Sequence, residues 1–468
     1  MPRYSIVITT VDRPQILSAA LSSFLAFERD DIEILVSDNY SDERTAKVIA
    51  GFDDPRLRKF RTDHRMPMPN HWEWIWEQTK GEYVIYVGDD STLSREALLA
   101  ADEAIEKHDA DIVSWRCCHY YHPDWDVQFK HLPNRGNILG IDRGFTNALY
   151  RVDRDKVIEH FTDNLRLAGC FPSVINFLLR RELGEEVRKR TGRLHWAPCP
   201  DISASYFSLG TSRPGKYIFW DGLGGIGGRS GQSNIASLLS RGKKSKRLRE
   251  WLDEFDENNP RFPHHPCPLE SISNLLAAPI TQAAALLPEW GPQHTYSQKI
   301  LALRSIDDTY YDRTVPWDDD PTYQQQLADV IASLDEEDRA EVQAYFDTAK
   351  AAAAAEDASG KVDFNPTPPV QGRGVIKFAL DASMSERLDA LKTFKNSGHN
   401  PIDKIWEYGG TTYVDQRMFG GETLAQAPAS LTQLATTLSD AEPGFAKQYK
   451  DFGMLVEELG VPAALTQD

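Results

Sequence analysis

The chain has 468 residues, 41% of them hydrophobic and 26% charged, and a formal net charge of -18. Single cores stop growing at roughly 250 to 300 residues, so two domains or one domain with a large appendage are expected, and the composition excludes global disorder. The acidic excess would repel a phosphate backbone and excludes a nucleic-acid partner; the local basic stretch 241–249 reads as a solvated helix end.

Residues 5–10 (SIVITT) are a β-branched run that predicts a first strand. It ends at Asp12-Arg13-Pro14, where Pro14 suits the first turn of a helix. Ile16, Leu17, Ala20, Leu21, Phe24 and Leu25 then recur at helical spacing and give that helix a buried face. A second strand over 32–37 delivers Asp38-Asn39 to its carboxyl end. A polar helix over 43–50, a short strand over 57–60 and a tryptophan-rich helix over 70–79 follow, with Gly81 closing the last. Trp72 and Trp76 share one face of that helix, which is a core pattern. The strand over 83–87 carries Gly88-Asp89-Asp90 at its carboxyl end. A helix over 94–107 and a strand over 111–115 continue the alternation, the pattern of parallel strands covered by helices.

From 119 to 147 the chain turns aromatic and reads as irregular. An apolar run over 174–179 and an amphipathic segment over 182–189 lead to Pro200-Asp201. After a strand over 217–220 comes a glycine-rich stretch, 221–231, expected to be a mobile loop closing over a ligand. Gly222, Gly224 and Gly227 formally match Gly-x-Gly-x-x-Gly. The late position, the poorly hydrophobic continuation RSGQSN and the basic residues beyond it argue against dinucleotide binding. From about 248 the signals are mainly helical, and 351–369 reads as a helix end running into a linker. The expected division is residues 1–235 as an α/β domain and 236–468 as a mainly helical region of open role.

Five cysteines form no regularly spaced framework, so a reducing cytoplasm is expected. Cys117, Cys118, His119 and His122 lack paired Cys-x-x-Cys spacing and read as strand burial and surface histidines rather than a zinc site. No basic-then-apolar leader and no run of about 18 apolar residues occurs, so no transmembrane segment is expected, and contact with the inner face of a membrane stays open as a peripheral one.

In open α/β sheets, ligands sit outside the carboxyl ends of the strands, where loops and helix N-termini converge. Three predicted strand ends here are polar or acidic: Thr9 to Arg13, Asp38, and Asp89-Asp90. A metal-bound diphosphate needs carboxylates at such a place, since Mg²⁺ and Mn²⁺ prefer hard oxygen ligands. Neighbours in an extended chain point to opposite sides, so the two acids are expected to divide the work: one on the metal, the other on a ribose or on the loop. Taken alone the pair would read as a helix cap, and the other two strand ends shift the balance to a site.

The segments SIVITTVDRPQILSAALSSFL (5–25), EILVSDNYSDERT (33–45) and NHWEWIWEQTKGEYVIYVGDDS (70–91) resemble, in order and spacing, the nucleotide-binding half of family 2 glycosyltransferases with the GT-A fold. That resemblance implies a mixed sheet flanked by helices, with Thr9, Thr10, Val11, Asp12, Arg13 and Asp38 around base and ribose. It implies Asp89 at the ribose or diphosphate and Asp90 on Mn²⁺ or Mg²⁺. The family often has a third acid where this chain has Ser91. The implied substrates are a nucleotide diphosphate sugar and a saccharide or other hydroxyl acceptor, joined with inversion.

Asp201, in HWAPCPDISASYFSLG (195–210), stands where the resemblance implies the general base. A carboxylate there would take the acceptor's proton as its oxygen attacks the anomeric carbon. A helix N-cap is the other reading of Asp201. Two rival activities are a nucleotidyltransferase acting on a sugar phosphate and a non-catalytic nucleotide-sugar-binding scaffold. TTVDRP lacks the glycines expected of the first, and the presence of Asp38, Asp89, Asp90 and Asp201 together argues against the second.

Overall fold

The computed structural model describes residues 1–124, 137–142, 145–173, 175–232, 253–256, 258–264, 269–291, 294–311, 315 and 321–358. Beyond 358 it describes 375–376, 405–408, 411–415, 423–429, 431–432 and 456–465. The basic stretch 241–249 and the linker part of 351–369 lie outside these residues.

The first half alternates as the periodicity predicts: β1 (Tyr4–Thr10), α1 (Pro14–Leu25), β2 (Ile32–Asp38), α2 (Glu43–Ala50), β3 (Leu57–Arg61), α3 (Met68–Trp76), β4 (Tyr83–Gly88), β5 (Thr92–Leu93), α4 (Arg95–His108) and β6 (Ile112–Tyr121). Then come β7 (Ile138–Asp142), β8 (Leu149–Val152), α5 (Arg154–Asn164), β9 (Phe177–Arg180), α6 (Arg181–Thr191), α7 (Pro200–Thr211) and β10 (Tyr217–Arg229). Pro14 opens α1 as expected, because its missing N–H costs nothing in a first turn.

The sheet is mixed. Strands β3, β2, β1 and β4 are parallel neighbours, while β9 is antiparallel to both β4 and β6 between which it lies. Alternation along the strands feeds two cores. Ile6 and Ile8 of β1 face α1 and α4 together with Leu17, Leu21, Phe24, Leu98 and Ala101. Val7 faces the other way, into a cluster with Trp72, Trp76, Tyr86, Phe161, Leu183 and Phe207. The tryptophans of α3 are core, with Trp72 stacked on Tyr86 at a centroid distance of 4.8 Å.

Two expectations change. The segment 119–147 is less irregular than its sequence: β6 runs on to Tyr121, and β7 pairs antiparallel with its end. The glycine-rich stretch is strand β10, not a mobile loop, and it pairs parallel with β6 through Arg229. The reason is steric. A Cβ on Gly224 would meet Trp115 Cγ at 2.3 Å, and one on Gly225 would meet Cys117 Sγ at 2.6 Å. Trp115 and Cys117 of β6 occupy the space that side chains at 224 and 225 would need, so the strands pair there only because both positions are glycine. A continuous strand also offers no strand-turn-helix phosphate loop, which disposes of dinucleotide binding there.

After β10 the order is α8 (Ile272–Leu286), α9 (Gln298–Ile306), α10 (Pro321–Ala332), α11 (Glu336–Ala358), β11 (Val375–Ile376), β12 (Ile405–Tyr408), β13 (Thr411–Asp415) and β14 (Val456–Gly460). The mainly helical character holds, with short strands added at its end: β13 extends the sheet beside β7, and β14 pairs with β8. Helix α8 contributes Ala277, Ile280 and Ala283 to the core that holds Tyr206 and Phe207 of α7. Helices α9, α10 and α11 share a further cluster that includes Ala302, Ile306, Leu327, Val330 and Val342.

Candidate active site

Parallel pairing sets three strand ends level with one another. Thr10 lies opposite Asp38, and Thr9 lies opposite both Ser37 and Gly88, so Asp89 follows directly beside Thr10. Asp38 is buried; its Oδ1 accepts from the Ser41 backbone N–H at 2.8 Å and its Oδ2 from Arg61 Nη1 at 3.1 Å. Asp12, at a φ of 55°, knits the first loop to the second. Its N–H donates to Ser41 Oγ and its carboxylate accepts from the Asp42 N–H, each at 2.8 Å. Arg65 Nη1 lies 3.1 Å from the other Asp12 oxygen. The exposed Tyr40 ring lies under the Arg61 guanidinium at 5.4 Å.

The acidic pair departs from its expected geometry. Asp89 and Asp90 do not continue the strand: the Ser91 N–H donates to the Gly88 carbonyl at 3.1 Å and closes a turn. Both carboxylates consequently face one guanidinium rather than opposite sides. Arg13 Nη1 pairs with Asp89 Oδ1, and Arg13 Nη2 lies 3.2 Å from Asp90 Oδ2. Thr10 Oγ1 donates to Asp89 Oδ2 at 2.6 Å, and Ser91 Oγ donates to Asp90 Oδ1 at 3.0 Å. Burial raises the Asp89 pKa and the neighbouring Asp90 charge adds to that, while Arg13 opposes it. Thr10 and Arg13 are thus brought onto Asp89. Thr9 and Val11 are half-buried beside them in the same loop.

Two residues missed at the level of sequence fix this turn. His122 is buried, not at the surface, and its Nε2–H donates to the Asp90 carbonyl at 3.0 Å. The Gly228 N–H donates to Ser91 Oγ at 3.1 Å, and a Cβ on Gly228 would stand 1.7 Å from the Asp90 carbonyl oxygen. The glycine run was visible as composition; its contact with Asp90 depends on pairing across more than a hundred residues.

Asp201 belongs to a separate wall. It lies in the first turn of α7, one position inside Pro200, while the N-cap position itself is Cys199 with no side-chain cap. Asp201 borders an apolar cavity lined by Trp72, Tyr86, Phe177 and Ala204, and Ser173 Oγ donates to its Oδ2 at 3.3 Å. Burial raises its pKa, partly offset by the first-turn amides of Ile202 and Asp201 itself and by Ser173. The segment bearing Ser173 is tied to β4 by the Ile175 N–H, which donates to the Tyr86 carbonyl at 3.0 Å, two residues before Gly88.

Among the described residues no three His, Cys, Asp or Glu side chains converge into a metal cage. The donor set at the turn, one or two carboxylates, is that of a Mg²⁺-type ion which completes its coordination with substrate phosphates. Asp90 fits such an ion in company with a diphosphate.

Residues 5–161 match the model of glycosyl transferase family 2. The chain carries a family 2 glycosyltransferase domain. Asp38, Asp89 and Asp90 of this glycosyltransferase domain lie inside the matched segment, and Asp201 lies beyond it. Over 101 residues the chain is 32% identical to the GalNAc(5)-diNAcBac-PP-undecaprenol beta-1,3-glucosyltransferase of Campylobacter jejuni, covering 21% of this chain and 33% of that protein. Over 129 residues it is 30% identical to the O-antigen biosynthesis protein RfbC of Myxococcus xanthus, covering 27% of this chain and 10% of that protein. The chain therefore spans a third or less of the curated relatives it matches. Among solved structures it is similar to S. aureus TarS 1-349 in complex with UDP-GlcNAc, at 12% identity and a TM-score of 0.47, covering 79% of this chain and 94% of that one.

Proposed function

We propose that this protein transfers a sugar from a nucleotide diphosphate sugar to a hydroxyl of a saccharide acceptor, by an inverting, metal-dependent displacement with Asp201 as general base. The observation that carries the reading is the register of β2, β1 and β4, which sets Asp38, Asp89 and Asp90 at one sheet edge inside the family 2 segment. Asp38 offers acceptor oxygens to the nucleoside, and the loop 9–13 borders it. A divalent ion on Asp90 would offset charge growing on the leaving diphosphate. Asp201, half-buried and raised in pKa, has the basicity to take a proton from the attacking hydroxyl.

The names of the two curated relatives speak of a lipid-linked saccharide and of O-antigen, which favours a saccharide acceptor in polysaccharide assembly. A cytoplasmic reaction is part of the proposal, since the five cysteines of the sequence form no regularly spaced framework. Among the described residues no helix is long and apolar enough to cross a membrane. A screen of nucleotide sugars with Mn²⁺ tests the proposal by melting temperature and by the anomer formed. At a ligand concentration a hundredfold above Kd, linkage gives about 2.7 kcal/mol, a shift of several degrees. No shift with any uridine, guanosine, thymidine or cytidine diphosphate sugar would sink the donor site.

A further inference from the structure

We propose that Arg13 is the resident counter-cation of the acidic turn and makes metal binding at Asp90 conditional on the diphosphate, an inference that rests on the donor-site reading above. The guanidinium is nine-tenths buried between two carboxylates, paired with Asp89 and 3.2 Å from Asp90. Its Nε and Nη2 are buried without a hydrogen bond of good geometry, so it is held there by charge rather than by a saturated bonding network. Thr10 and Ser91 reach the two carboxylates with neutral hydroxyls and add no charge of their own to this group.

Charge balance then couples the two ligands. With both carboxylates ionised, Asp89, Asp90 and Arg13 together carry one net negative charge in a buried place. A divalent ion alone would turn this into one net positive charge, with the ion facing the guanidinium across Asp90. A diphosphate alone would raise the negative charge to three. Ion and diphosphate arriving together leave the resting charge unchanged. Burial penalises each unbalanced state, so the two ligands bind with positive coupling, and linkage makes that coupling reciprocal. Asp90 is kept from free metal until the donor is present.

The test uses the full chain and Mn²⁺ as the probe, its binding followed by electron paramagnetic resonance. Arg13→Gln keeps a donor for Asp89 without the charge, and it should bind Mn²⁺ alone about tenfold more tightly than the wild type, within the usual range of coupling between sites. Arg13→Lys should retain the weak wild-type affinity. Equal Mn²⁺ affinity in wild type and Arg13→Gln overturns the proposal. Should Arg13→Gln fail to fold, the wild type decides: saturating UDP or GDP should tighten Mn²⁺ binding about tenfold, and an unchanged affinity overturns the proposal. If neither nucleotide binds, the donor-site reading fails on its own, while the comparison in Mn²⁺ alone still reports on Arg13.

Discussion

In the proposed reaction, Asp201 is the residue on which the chemistry turns. Asp201→Asn keeps the size of the side chain and loses the basic oxygen. Transfer should fall by about 10² to 10⁴, the usual general-base contribution, while donor affinity measured by calorimetry persists. Stability gives a second readout of opposite sign. Burial raises the Asp201 pKa above its unfolded value, so the carboxyl favours the folded state in acid and that contribution is lost as pH rises through the raised value. At neutral pH the asparagine variant should therefore melt higher than the wild type, and the gap should close as the pH falls toward the ordinary aspartate range. Near-normal transfer by a folded, donor-binding variant would remove Asp201 from catalysis. Asp38 and Asp90 separate in the same way. Asp38→Ala should weaken nucleoside binding with or without metal, and Asp90→Ala should abolish the metal dependence; the same loss in both would show that the roles are not divided.

At the scale of elements, the strand β10 shows what was legible and what was not. Strands β1, β2 and β4 could be read from β-branched runs, and their acidic ends from position alone, because hydrophobic periodicity is local. Asp201 stands out through the family resemblance, whereas Pro200 and the helix behind it, read locally, point only to a helix start. The pairing of β10 with β6 was not legible: a glycine run reads as flexible until Trp115 and Cys117 are seen to fill the space opposite. The turn at Asp89-Asp90 is hidden for a similar reason: the β-branched run before it points to an extended continuation, whereas Ser91 closes back on Gly88. Gly228→Ala tests the importance of this contact. Its Cβ would overlap the Asp90 carbonyl, which has no flexible side-chain end to give way. Overpacking of this kind costs about 1 to 3 kcal/mol, and here the strain falls on the turn that holds Asp90. The expected result is a lower melting temperature together with weaker Mn²⁺-dependent nucleotide binding; a fully active variant would show that the turn relaxes at no cost.

At the scale of the whole molecule, the division near residue 235 is best proposed as one of role, with the donor site before it and a buttress after it. Helix α8 lies against the helix that carries Asp201. Ile280 is buried in the core shared with Tyr206 and Phe207, Gln282 Nε2 donates to the Ala197 carbonyl at 2.6 Å, and Tyr206 and His294 share a hydrogen bond of 2.7 Å. A Cβ on Gly210 would meet the Trp290 ring at 2.4 Å, so the packing of α7 on the segment after α8 is close enough to require glycine. None of this could be read in advance, because α8 has the apolar composition of any buried helix and its partner is distant in sequence. The shared core makes a definite claim about cooperativity. Ile280→Ala leaves a cavity and should cost about 2 to 5 kcal/mol. If the donor domain and α8 unfold as one unit, that loss lowers the same calorimetric transition that a nucleotide diphosphate with Mn²⁺ raises, and the two shifts offset each other when combined. If α8 belongs to an independent unit, Ile280→Ala lowers a transition that the nucleotide leaves in place. Two separable transitions, only one of them responsive to each perturbation, would overturn the buttress.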